Sequence, residues 1–121
     1  MRGKRNKYGA RKTTVDGVTF DSEMESEFYK LLKGSEEVVC FEIQPRYLLQ
    51  EAFKKDGKTV RKIEYVADFK VLYKDKTFEV IDVKGQVTDV FKLKKKLFDK
   101  RYPDLHLILI RKYASGWREV N

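Results

Sequence analysis

The sequence holds one cysteine, one histidine and two prolines, and no apolar run approaches the ~20 residues that a membrane-spanning helix needs. A lone Cys40 excludes an internal disulfide and a zinc ribbon; in its apolar stretch it is expected to be a small buried residue in a reducing compartment. His106 as the single imidazole excludes a His-x-x-x-His metalloprotease, a nuclease built on paired histidines and a Cys₂His₂ finger. It lies in the apolar run 105–110 and is expected as a packed or edge side chain. The paired aromatic motifs of an RNA-recognition domain are lacking, and so is a charged-then-apolar leader, so a soluble cytoplasmic chain is expected. A length of 121 residues accommodates one domain with a real core and leaves no room for a second catalytic domain.

Positive charge is what the sequence has in excess. Lys and Arg number 27 against 19 Asp and Glu, a net charge of +8, which marks a polyanion binder; nucleic acid fits better than a membrane surface. Residues 1–12 carry Arg2, Lys4, Arg5, Lys7, Arg11 and Lys12 with no acidic residue. Residues 1–14 are therefore expected to form a flexible basic arm, either a solvated tail or a phosphate-contacting segment, ahead of a single domain over 15–121.

The most strongly patterned stretch is 63–85, IEYVADFKVLYKDKTFEVIDVKG. Ile63, Tyr65, Ala67, Phe69, Val71 and Tyr73 recur every second residue, a turn follows at Tyr73-Lys74-Asp75-Lys76, and alternation resumes to Lys84, which predicts a β-hairpin. Charge on apolar strands costs free energy unless it is paired, solvated or metal-bound, so Asp68, Asp82 and Lys84 require a reason to be there. Period two places Asp82 and Lys84 on one face and Glu79 on the other, with Asp68 across from them on the paired strand. Two carboxylates meeting at a strand end suit Mg²⁺, and an ammonium two residues on can orient or deprotonate a water. A structural ion pair at a sheet edge is the competing account.

Around this hairpin the chain reads as two helices and further strands. Asp16-Gly17 signals a turn; Asp21 or Ser22 caps a helix to about Lys33, stopped by Gly34, with Met24, Phe28, Leu31 and Leu32 as its core face. Glu23, Glu25 and Glu27 suit the helix dipole, and Glu25 borders the buried stripe beside Phe28, Tyr29 and Leu32. Residues 38–44 form a strand, 47–53 its continuation or partner after Pro45, and Lys55-Asp56-Gly57-Lys58 a hairpin turn. Thr88 caps a second helix from Asp89 to about Arg101, ended by Pro103, with Val90, Phe91, Leu97 and Phe98 on one side and Lys94 among them. Lys92, Lys95, Lys96 and Lys100 project outward as a solvated or phosphate-tracking face, while Lys94 can aim its ammonium at the site. Residues 105–110 are expected as a strand parallel to the Asp82 strand. Trp117 is a core anchor, a dimer contact or a stacking surface. The result is a mixed α/β (α+β) fold in the order α-β-β-β-α-β, a mixed central sheet flanked by helices.

Asp68 followed by Asp82-Val83-Lys84 resembles the PD-(D/E)XK nuclease superfamily, which includes restriction endonucleases and archaeal-type Holliday-junction resolvases. More closely, Phe20-Asp21-Ser22-x-x-Glu25, Gln44-Pro45, Tyr65-x-Ala67-Asp68-Phe69 and Ile81-Asp82-Val83-Lys84-Gly85 resemble a phage family of small resolvase-like endonucleases, over nearly all of 15–112. Ala67 stands where the superfamily often, though not always, has proline. The resemblance implies a restriction-endonuclease-like core and a Mg²⁺-dependent DNA endonuclease, with Mn²⁺ able to substitute and no small-molecule cofactor. It implies metal ligation by Asp68, Asp82, the Val83 carbonyl and Glu25, catalysis by Lys84, and support from Gln44. The expected substrate is branched DNA, such as a Holliday junction, cut by a homodimer in the cytoplasm, that of the host if the chain is phage-encoded. The alternatives are sequence-specific or flap and duplex cleavage, and a non-catalytic basic nucleic-acid-binding module on a degenerate nuclease fold.

Overall fold

The computed structural model describes residues 11–120. Of the expected basic arm, Arg2, Lys4, Arg5 and Lys7 lie outside the described residues, Arg11 and Lys12 are exposed, and the first strand already begins at Thr13. In chain order the elements are β1 (Thr13–Val15), β2 (Val18–Phe20), α1 (Glu23–Gly34), β3 (Val38–Ile43), β4 (Arg46–Gln50), β5 (Phe53–Lys55), β6 (Lys58–Val60), β7 (Ile63–Val66), β8 (Phe69–Tyr73), β9 (Phe78–Val83), α2 (Asp89–Arg101), β10 (Leu107–Tyr113) and β11 (Gly116–Val120). No helix among them is long and apolar enough to cross a membrane.

Five strands make a mixed sheet in the order β11-β10-β9-β8-β3, with β9 and β10 parallel and the other pairs antiparallel. Alternation divides the central strands between two cores. Ile81, Val83 and Ile110 join Phe28, Tyr29 and Leu32 of α1, whereas Val80, Leu107 and Leu109 join Phe91 and Phe98 of α2. The helices therefore cover opposite faces, and β9 and β10 read as nearly continuous apolar runs because both their faces are buried. Each helix begins at a hydroxyl cap: Ser22 accepts from the Glu25 N–H and Thr88 from the Phe91 N–H. Trp117 resolves as a core contact, its ring edge-on to Phe28 at 5.2 Å.

The expected strand 63–73 is in fact two strands in two sheets. β8 pairs with β9 and β3, but β7 pairs with β4, forming a ribbon that leaves the main sheet. The break has a local cause. Pro45 has no N–H for a ladder, and Gln44 takes a left-handed φ of 53°, so the chain turns out of the sheet after β3. The neighbouring segment turns with it: Gln44 N–H donates to the Asp68 carbonyl at 2.9 Å and Ala67 N–H to the Pro45 carbonyl at 3.1 Å. Of the expected strand 47–53, residues 47–50 consequently partner β7 instead of 38–44, and Phe53 belongs to β5. Beyond Gln50 the ribbon continues as β5 and β6 around Asp56-Gly57, both with positive φ as a tight two-residue hairpin turn requires.

Four burial expectations are corrected. Cys40 is exposed, because β3 is an edge strand that directs Phe41 and Ile43 to the α1 core and leaves Cys40 and Glu42 outward. Leu31 is 48% exposed, one position out of phase with the buried stripe Glu25, Phe28, Tyr29 and Leu32. Val90, in the first turn of α2, is 63% exposed, outside the stripe set by Phe91 and Phe98. His106 is exposed just before β10, which starts two residues later than expected and runs on to Tyr113; the His106 carbonyl accepts the Val80 N–H at 2.9 Å.

Phe98 is fully buried and packs on Tyr47, Tyr65 and Tyr102, joining α2 to the ribbon. Phe98→Ala is expected to cost about 3–5 kcal/mol in denaturant unfolding, whereas Leu93→Ala, on the solvent side of the same helix, should change stability by less than about 0.5 kcal/mol.

Candidate active site

Asp68 lies at the corner between β7 and β8, where its backbone is held on both sides: its N–H donates to the Ile81 carbonyl at 3.1 Å and its carbonyl accepts from Gln44. Its Oδ2 accepts the Val83 N–H at 2.8 Å, which draws the carboxylate onto the end of β9. The opposing strand supplies Asp82, 2% exposed, in register with Leu109 of β10 and on the α2 face with Val80. Lys84 follows directly after β9, its N–H donated to the Ile110 carbonyl at 3.0 Å. The Lys84 ammonium lies 3.3 Å from Asp82 Oδ2 and 5.5 Å from the centre of the Phe91 ring.

Glu25 reaches the same place from α1. Ser22 fixes its position in the first turn, accepting the Glu25 N–H at 3.1 Å and donating its hydroxyl to Glu25 Oε1 at 3.4 Å. A capping glutamate normally ends in solvent, but this carboxyl is buried and hydrogen-bonded to Asp68. Burial, then the Asp68 carboxylate beside it, holds the Glu25 carboxyl well above its ordinary value. The Glu25 carboxyl therefore resists ionisation beside Asp68. Burial also raises Asp68, opposed by the Val83 N–H and the Glu25 hydrogen bond, and raises Asp82, opposed by the Lys84 ammonium and the Asp68 N–H.

Sequence reasoning missed Tyr65. Its hydroxyl donates to Asp82 Oδ2, so β7 as well as β9 orients that carboxylate. The available signal was a tyrosine at a buried period-two position, where the hydroxyl needs a polar partner. The expected residues divide accordingly. Glu25, Asp68, Asp82 and Lys84 come together, with Val83 between the two aspartates and the Gln44 backbone against Asp68. Lys94 does not join them: its ammonium is taken by the Glu64 carbonyl at 3.1 Å, where it ties α2 to β7. Lys92 and Lys96 are exposed on α2, as expected, but Lys95 is half-buried and paired with Asp99 at 2.9 Å. These three line a cavity of about 650 Å³ between α2 and β10, whose wall includes Phe91. Lys12 pairs with Asp21 at 3.4 Å between two exposed side chains.

Among the described residues no three His, Cys, Asp or Glu side chains stand as a ready-made ion cage. The donors are nonetheless hard oxygens at high local negative charge, held by a proton on one side and an ammonium on the other. A divalent cation suits such a set, since it relieves the repulsion that the proton now relieves.

A family model described as "Protein of unknown function (DUF1064)" matches residues 5–115. The chain belongs to that family. No curated protein and no solved structure matches this DUF1064 member.

All three carboxyls are held above their ordinary values, 4.5 for Glu25 and 3.8 for the aspartates, so above those values the folded state binds more protons than the unfolded one. That stabilisation is present in full below the ordinary values and is lost as pH rises toward the raised ones. In chelator, unfolding stability should therefore fall between pH ~5 and ~9, and Glu25→Gln, which keeps the hydrogen bond without the ionisation, should flatten the fall by at least ~1 kcal/mol. Parallel pH profiles for the two proteins would remove Glu25 as the proton holder.

Proposed function

We propose that this protein is a Mg²⁺-dependent DNA endonuclease of restriction-endonuclease-like fold that cuts branched DNA such as four-way junctions. The observation that carries the reading is the convergence of Glu25, Asp68, Asp82 and Lys84 from a helix, a strand corner and a strand end onto one half-buried place. The fold supports it: without the β1–β2 hairpin, the ribbon and β11, the remaining order is α1, β3, β8, β9, α2, β10 around one mixed sheet. The branched substrate follows from the resemblance to phage resolvase-like endonucleases, and the excess of 27 cationic over 19 acidic side chains suits any polyanion.

Asp68 and Asp82, with Glu25 and the Val83 carbonyl, would hold Mg²⁺, or Mn²⁺ in its place. When bound, the ion supplies Lewis-acid stabilisation of phosphate charge and a water of lowered pKa. The protein's own part is orientation. Tyr65 and Lys84 both address Asp82 Oδ2, fixing the carboxylate's rotation, and the Lys84 ammonium is thereby placed where it can align an attacking water. Glu25, whose carboxyl resists ionisation beside Asp68, would ligate as the carboxylate, and the Val83 N–H keeps Asp68 turned toward β9. Symmetric resolution of a two-fold junction calls for two copies, so the active species is a homodimer.

The purified protein with Mg²⁺ should cut a labelled four-way junction in preference to linear duplex or single strand, and light scattering should report a dimer. Asp82→Asn and Lys84→Ala should each lower single-turnover cleavage by at least ~10²-fold. Glu79→Gln should be nearly silent, because Glu79 lies on the other strand face and accepts from Tyr73 at 2.6 Å. No cleavage of any DNA by wild type removes the nuclease reading; preference for linear duplex keeps the nuclease and removes the resolvase.

A further inference from the structure

The ribbon that leaves the main sheet at Gln44 and Asp68 has two unlike halves. Its root, β4 and β7, is fastened to α2: the Tyr102 hydroxyl donates to the Leu48 carbonyl at 2.9 Å, the Lys94 ammonium to the Glu64 carbonyl at 3.1 Å, and the Tyr47 ring packs 5.0 Å from that of Phe98. The outer half is open to solvent, and among the described residues its base is tied to α2 by Glu51, which lies 3.5 Å from Arg101. Every residue from 51 to 62 is exposed.

That outer half is strongly basic. Residues 53–62 hold Lys54, Lys55, Lys58, Arg61 and Lys62 against the single acid Asp56. Among the described residues Lys54, Lys55, Lys58 and Arg61 have no ion-pair partner, while Lys62 lies 3.4 Å from Glu64. Cross-strand register sets Lys55 directly opposite Lys58 at the tip, a like-charge pairing that destabilises a hairpin. On the same ribbon face Phe53 opposes Val60, and these apolar side chains are 46% and 37% exposed. An isolated two-stranded hairpin is marginal in water, so a free arm with repelling charges and bare apolar residues is costly unless a partner takes both.

We propose that residues 53–62 form a duplex-DNA-binding arm, a β-ribbon that enters the groove of a DNA helix flanking the cleavage point. This rests on the DNA reading above and gives that reading a second contact surface. Two-stranded ribbons fit the B-form major groove, which is about 12 Å wide and about 8.5 Å deep. The five residue steps from Gln50 to the tip at Lys55 span about 17 Å at the usual rise per residue, enough to reach the groove floor. The lysines then address phosphates, and Phe53 and Val60 face sugars and base edges. The root ties this arm to the chemistry: Tyr65 of β7 donates to Asp82, and Ala67 to Pro45 beside Asp68. DNA gripped by the arm is thereby held at a fixed offset from the carboxylates.

The test compares two charge-matched double variants by fluorescence anisotropy in chelator, where binding is read without cleavage. Lys55→Gln/Lys58→Gln removes two charges from the arm. Lys74→Gln/Lys76→Gln removes two from the β8–β9 turn, which lies at the opposite end of that hairpin from Asp68 and Asp82. The arm variant should bind a four-way junction and a linear duplex at least about tenfold more weakly and lower the salt slope by roughly two units, with a melting temperature equal to or above wild type. The turn variant should stay within about twofold of wild type. Equal losses in the two variants overturn the proposal, as does an arm variant that loses dimer mass in light scattering instead of DNA affinity. Tighter binding of duplex RNA than of DNA by wild type also overturns it, since the A-form major groove is too narrow for a ribbon. A wild type that binds DNA by the arm yet cuts none would count against the nuclease alone.

Discussion

Two reciprocal backbone hydrogen bonds, Gln44 N–H to Asp68 and Ala67 N–H to Pro45, hold the architecture at its critical corner. They bind two segments that leave the main sheet together, so the bend in one cannot relax without the other. Asp68 sits inside this corner, with its N–H, its carbonyl and one carboxylate oxygen all engaged. A side chain so constrained on its main chain has little freedom to drift from Asp82 across the hairpin. The same corner aims the ribbon outward and brings Tyr65 back over Asp82. Candidate chemistry and candidate recognition thus depend on one backbone junction.

The energetic character of the cluster follows from where that junction lies. Asp82 is buried on the sheet face that carries Val80, Leu107 and Leu109, and Glu25 is drawn from a helix cap into the same low-dielectric region. Carboxylates so placed oppose each other and resist ionisation, and the fold offsets part of this with one ammonium, one phenol and two backbone N–H groups. Such a cluster lowers the stability of the folded chain near neutral pH.

Much of this was legible in the residues, and the parts that were not have identifiable causes. Capping hydroxyls and 3.6-residue stripes fixed both helices closely, and alternation fixed β8 and β9, with Asp68 just before the one and Asp82 within the other. Period two carries no information about which partner a strand chooses, so the alternation from Ile63 to Tyr73 hid a change of sheet at Asp68. Pro45 was read as a break, but the left-handed Gln44 that makes the break a corner has no sequence mark. Lys94 was rightly placed on the inner side of α2, yet only the packed ribbon could show that a carbonyl of Glu64 awaited it. Cys40 misled because an apolar neighbourhood in sequence does not distinguish an edge strand from a central one.

The exposed Cys40 has a practical consequence. It is the single thiol of the chain, it projects from edge strand β3, and its partner in register is Leu72 of β8, four residues after Asp68 in sequence. A spin label or fluorophore placed there reports from a defined point outside the cluster without any further cysteine being introduced. In a two-fold assembly that label occurs twice, at symmetry-related points, so one measured separation constrains how two copies are arranged.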